Sequence, residues 1–139
     1  MTEATIARFG FSNYRIKKFS YTESEDATRT LKIQFFPNGL YNVSNGEFRL
    51  GLIFTGTEDK ENGKLILEVV SEAIFKFEAG IPFTDIPDFF YKNSIAIFFP
   101  YLRAFVSTMT LQAHAPLILL DVMNLSNLEQ PFKENTKEE

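Results

Sequence analysis

From Leu65 to Phe77 the chain alternates without a break. Leu65, Leu67, Val69, Ser71, Ala73, Phe75 and Phe77 fall on one side of an extended backbone, and Ile66, Glu68, Val70, Glu72, Ile74 and Lys76 on the other. Successive side chains of a strand point to opposite faces. The run therefore reads as a strand with one strongly apolar face and one mixed face. Such a strand needs paired neighbours and a cover over its apolar side.

Upstream there are three more runs of this kind. Phe48, Leu50, Leu52 and Phe54 alternate cleanly, and so do Leu31, Ile33 and Phe35, up to an interruption expected at Pro37-Asn38-Gly39. In the first run Phe9 and Phe11, then Tyr14 and Ile16, then Phe19 and Tyr21 keep the period, but the phase slips by one residue twice. A slip turns the side chains to the other face unless a bulge absorbs it, so a bulged strand is predicted. Thr22–Thr28, the Asn45-Gly46 dipeptide and Thr57–Gly63 are turn-like. Four strands joined by short polar loops predict an antiparallel meander.

The period then changes. Ile95, Phe98, Phe99, Leu102, Phe105, Val106 and Met109 recur at helical steps. Asp85 with Pro87 reads as a short capped turn, and Ser94 as the cap of the long helix. Pro100 predicts a kink, and Ala115-Pro116 an end to the helix. Leu117–Leu128 is apolar, with a last short helix expected in it. The fold class is α+β: a four-stranded antiparallel meander sheet, a long kinked helix and a short C-terminal apolar or helical segment. One domain is expected over residues 8–130, with residues 1–7 a flexible start and residues 131–139 a charged, disordered tail. One helix is too narrow to cover four long strands. The 139-residue chain holds 16 Phe, so the uncovered apolar area must meet a partner subunit, a ligand or a client.

Catalytic chemistry finds little to work with. There is no cysteine and a single histidine, His114, next to the helix end, so thiol catalysis and Cys/His zinc sites are excluded. No glycine-rich phosphate loop or calcium loop occurs, and Glu68 and Glu72 read as alternating surface carboxylates. No enzyme activity and no cofactor are expected. A net charge of −4 argues against a general grip on nucleic acid. No signal segment opens the chain, and the stretch from Ile95 to Val106 is short and carries Arg103, so no membrane insertion is expected and a cytoplasmic location is the default.

The segment FFPYLRAFVSTMTLQAHAPLILLDVMNLSNL resembles the closing part of the SecB export chaperones. The matching positions are Phe99, Pro100, Tyr101 and Arg103 inside the helix, then Pro116, Leu120, Asn124 and Leu128. Upstream, Glu68, Val69, Ile74 and Phe75 match that family's fourth strand. The resemblance spans roughly residues 9–128, and it implies an ATP-independent holdase that keeps unfolded or nascent chains in apolar grooves. It also implies a homo-oligomer, a dimer of dimers packed through the long helices.

On this basis Leu31, Ile33, Phe35, Phe75, Phe77, Leu117 and Leu119 are expected at the groove, and Phe98, Leu102, Phe105 and Met109 at the subunit interface. Of the acidic patch through which export members contact the SecA motor, Glu68 alone is matched. Lys17 and Lys18 stand where acidic residues are usual, and the closing helix is shortened. The chain reads as a divergent member, serving export or a dedicated client such as an antitoxin. The rival readings are a small-ligand or lipid carrier and an interaction module with one fixed partner.

Overall fold

The computed structural model describes residues 9–24, 31–113 and 125–139. Its strands are β1 (Phe9–Tyr21), β2 (Leu31–Asn42), β3 (Glu47–Glu58), β4 (Leu65–Phe77) and β5 (Thr136–Glu138). The helices are α1 (Asp88–Gln112) and α2 (Glu129–Glu134), each preceded by a one-turn 3-10 segment. This is the α+β architecture expected, with one more strand.

The sheet order is β1-β4-β3-β2-β5. β2, β3 and β4 follow one another through hairpins, but β1 returns to lie beside β4, a Greek key in place of the sequential meander. The side chains account for this choice. β1 pairs with β4 through register shifts between Phe11 and Asn13 and between Ile16 and Lys18, which are the two phase slips read from the sequence. With those shifts absorbed, Phe9, Phe11, Tyr14, Ile16 and Phe19 each stand opposite an inward-facing residue of β4. On the other face Arg15 stands opposite Glu72 and binds it at 2.8 Å.

β2 runs unbroken through Pro37, which pairs with Leu52 without a register shift. The interruption expected there does not occur, and the reason is direction. Residues two apart on a strand aim their N–H groups the same way, and the Gly39 N–H donates to the Asn135 carbonyl, away from β3. Pro37 therefore lacks only a donor that would point away from β3. The Asn45-Gly46 turn is as predicted. Gly46 has φ 75°, and a Cβ on it would lie 2.2 Å from the Phe77 carbonyl oxygen.

Residues 131–139 are not a disordered tail. Phe132 is fully buried, and β5 pairs in parallel with Gly39–Tyr41. The Glu139 N–H donates to the Tyr41 carbonyl at 2.8 Å. Gly39 makes room for this: a Cβ there would meet Thr136, Phe132 and Phe48 side chains within 3 Å. One ring, seated in that notch, turns a charged segment into structure.

α1 lies over the inner face of the sheet. It starts behind Pro87, so Ser94 is not its cap but a buried residue nearly two turns in. Tyr91, Ile95, Phe98, Leu102 and Val106 form its buried stripe. The helix continues through Pro100. Pro100 and Ala96, whose carbonyl it leaves without its usual helical donor, are both on the exposed side. By length and mean hydropathy α1 would suffice to cross a bilayer, and its inner stripe is packed on the sheet.

The core centres on Phe90. Its ring lies 4.5 Å from Phe48, 4.9 Å from Phe9, 5.0 Å from Phe77 and 5.5 Å from Phe75. Each such ring contributes roughly 1.5–3 kcal/mol by leaving water, and edge-to-face pairs add about 0.5–1.5 kcal/mol.

Candidate functional site

The described half of β2 that β5 does not reach, from Leu31 to Pro37, has β3 on one side and no strand on the other among the described residues. The parity set by Gly39 applies here as well. Leu31, Ile33 and Phe35 therefore aim their N–H and C=O groups away from β3, while their side chains point to the inner face. Phe35 is half-buried, 5.3 Å from Phe54 and 5.8 Å from Phe99 of α1. Leu31 and Ile33 are also half-buried. The result is an open strand edge over an apolar rim. It can take main-chain hydrogen bonds and apolar side chains together, which suits an extended polypeptide.

The other expected groove residues separate. Phe75 and Phe77 lie beneath α1, packed on Phe9 and Phe90, and belong to the core and not to a groove. Their place at the end of β4, opposite Phe9 and Phe11, puts them under the start of the helix. Leu117 and Leu119, with Pro116 and Asn124, lie outside the described residues.

The expected interface stripe also turns out differently. Phe98 and Leu102 are fully buried against the chain's own sheet, and Phe105 packs on Phe19 at 5.4 Å. Only Met109 and Phe105 of that set are even half-exposed. The outward stripe of α1 is instead Ile97, Pro100, Tyr101, Ala104, Thr108 and Leu111, all exposed and almost free of charge. Leu111 is 62% exposed and Tyr101 43%. Beside this stripe Tyr101 leans on Phe11 and Tyr14 of β1 at 5.2 and 5.1 Å. Tyr14, Pro100, Tyr101, Ala104, Phe105 and Thr108 line an open hollow of about 400 Å³. Of the sequence motif, Phe99 is thus a floor residue, Tyr101 faces out, and Arg103 is half-buried.

The outer face of the sheet is polar and internally paired. Glu68 accepts from Lys18 Nζ at 2.6 Å, and Glu72 from Arg15 with Lys17 at 3.6 Å. Glu47 is held by Arg49 and Lys76, and these hydrogen bonds pull its carboxyl below the usual carboxylate range. A cleft of about 260 Å³ lies among Arg15, Arg49, Glu47, Glu72 and Lys76. Among the described residues no cluster of three or more His, Asp or Glu is placed to hold a metal.

Sequence reasoning missed Phe90, Tyr91 and Phe132. The signal for Phe132 was there: it is the one large apolar side chain in EQPFKENTKEE. The Tyr41 phenol, buried beneath the tail, donates to the Ile81 carbonyl at 2.7 Å. Burial first, and the nearby Glu138 second, push its pKa up.

A Greek-key sheet with one long helix across its inner face and a short closing helix is the SecB-like fold. It superposes on the Mycobacterium tuberculosis Rv1957 SecB-like chaperone, solved in complex with a ChAD peptide from the Rv1956 HigA1 antitoxin. The TM-score is 0.68 at 12% identity, over 84% of this chain and 88% of that one. By sequence, the chain belongs to the family of the uncharacterized protein MJ0357 of Methanocaldococcus jannaschii, to which it is 30% identical over 148 residues, covering 93% of this chain and 90% of that protein. No family model matches it.

Proposed function

We propose that this protein is a chaperone that holds unfolded polypeptide segments on the open edge of β2, over the rim formed by Leu31, Ile33 and Phe35. The observation that carries the reading is the coincidence of half-buried apolar side chains with a strand edge that has no partner among the described residues, on a SecB-like fold. Holding a chain in this way needs apolar contact and main-chain pairing and no chemical step, so the protein works without nucleotide, cofactor or catalysis. The antitoxin peptide bound by the M. tuberculosis neighbour supports polypeptide clients.

A dedicated client suits the outer face better than general export. Glu68 and Glu72 are each tied to cations of β1, so among the described residues neither is a free carboxylate for a SecA-type partner. The exposed stripe of α1 is the surface for assembly with further copies, in the cytoplasm.

The test is suppression of aggregation. A denatured reporter protein is diluted into buffer with and without the chain, in the absence of ATP, and light scattering is followed. Suppression at near-equimolar ratio is expected, weakened by Ile33→Asp or Phe35→Ser. Unchanged scattering with a folded, wild-type chain refutes the proposal. Binding to SecA, measured alongside, is expected to be absent.

A further inference from the structure

The C-terminal strand shows how the β2 edge takes a guest. β5 is only three residues long, yet it is held by a bond at each end: Gly39 N–H to Asn135, and Glu139 N–H to the Tyr41 carbonyl. Its deepest side-chain anchor is Phe132, which enters from the preceding helix, with the buried Thr136 beside it. The partners on β2 are Gly39 and Tyr41, whose backbone groups point away from β3. Leu31, Ile33 and Phe35 have the same parity and so offer the same row of groups further along. Pro37 divides the two halves, because it offers no donor.

We infer that clients bind by adding a strand to β2 along Leu31–Phe35, in line with β5, and that Pro37 and β5 together mark the end of that track. The occupant is an extended segment with apolar residues at alternate positions. Those residues drop onto the half-buried Ile33 and Phe35, while its backbone pairs with Leu31, Ile33 and Phe35. Main-chain pairing is indifferent to side-chain identity, so one edge can serve many sequences. A groove that bound side chains alone would leave the row of backbone groups unused. The inference rests on the chaperone reading and specifies the mode of contact.

The experiment uses the whole chain and a labelled peptide, Lys-Phe-Thr-Phe-Thr-Phe-Lys, followed by fluorescence anisotropy. Two analogues carry backbone N-methyl groups, one on the Phe residues and one on the Thr residues. Their side chains are identical, and each blocks one edge of the extended peptide. Strand addition predicts that one analogue binds about tenfold or more weakly and the other within about twofold of the parent. The sensitive analogue also reports the direction of the added strand.

A second arm is Ile33→Pro, which removes a donor that points away from β3 and so spares the native ladder, as Pro37 does. The fold is expected to persist by circular dichroism, and parent-peptide affinity to fall by a similar factor. Should that variant fail to fold, the two analogues on the wild-type chain still decide. If both bind within twofold of the parent, strand addition is wrong and the chaperone reading stands. If neither the parent peptide nor a denatured protein binds, the chaperone reading itself falls.

Discussion

Replacing Phe132 by alanine tests whether the C-terminal segment is structure or appendage. The ring is fully buried, 5.2 Å from Tyr91, 5.8 Å from Phe48 and 6.2 Å from Phe90, and it fills the notch that Gly39 leaves. Truncating a buried Phe costs about 3–5 kcal/mol through lost transfer and the cavity left behind. Little else holds the segment. The Lys133–Asp88 pair at 2.6 Å is exposed and is worth roughly 0–1 kcal/mol. The parallel ladder spans three residues. The variant therefore releases α2 and β5, and because the segment is terminal, the rest of the sheet stays folded. For a chain of this length the loss lowers the melting temperature by about 10–20 °C. Amide exchange gives the local reading: Gly39 and Glu139 lose protection, and the amides of β3 and β4 keep theirs. The phenol of Tyr41, relieved of burial and of Glu138, titrates closer to its ordinary value. The reasoning is refuted if the variant is as stable as the wild type, or if the Gly39 amide already exchanges freely in the wild type.

Four further outcomes follow from local geometry. Gly46→Ala, at φ 75° with a Cβ forced to 2.2 Å from the Phe77 carbonyl, is expected to cost roughly 1–3 kcal/mol in urea unfolding. The Glu58 carboxyl accepts from Ser24 Oγ at 2.8 Å and from the Lys64 amide at 3.0 Å, and those bonds hold its pKa below the ordinary 4.5. Its stabilising contribution is therefore complete above that value and is lost as pH falls through the lowered one, and Glu58→Gln removes that part of the acid dependence in pH-jump unfolding. Ser94 is fully buried, and its hydroxyl has no partner among the described residues, so Ser94→Ala is expected to raise stability by about 1 kcal/mol. Tyr101→Asp on the outer stripe of α1 is expected to lower the oligomeric state in light scattering without unfolding the chain.

The strands were legible because alternation is a direct consequence of backbone geometry. The two phase slips of β1 became its two register shifts, and Asn45-Gly46 became the turn. The order of the strands was not legible, since alternation says which face a residue takes and not which neighbour it has. Only the charges hinted at it, with Arg15 and Lys18 on one strand and Glu72 and Glu68 on another. Pro37 misled because its cost depends on which way its nitrogen points, and that is settled only once the edge is known. α1 misled for a related reason. It is apolar on both sides, so Phe98 and Leu102 could be assigned outward while Ile97 and Tyr101 are the residues that face out.

The two edges of the sheet are protected unequally, and the proposed site lies on the less protected one. β1 is bent by two bulges and carries Arg15, Lys17 and Lys18, devices that discourage pairing with another chain. The second half of β2 is closed by β5, anchored through Phe132. The first half of β2 has no bulge and, among the described residues, no covering strand; its one cation is Lys32, on the outer face. Its inward residues Leu31, Ile33 and Phe35 are uncharged, its register with β3 is regular, and its backbone groups point away from the sheet. Here β5 is preceded by α2, which ends at Glu134, so the pairing stops at Gly39, and Pro37 and the apolar half of β2 lie beyond it. The abundance of phenylalanine then has a physical division. Phe9, Phe48, Phe75 and Phe77 close the core with Phe90 of α1, while Phe35, half-buried above Phe99, stands at the margin.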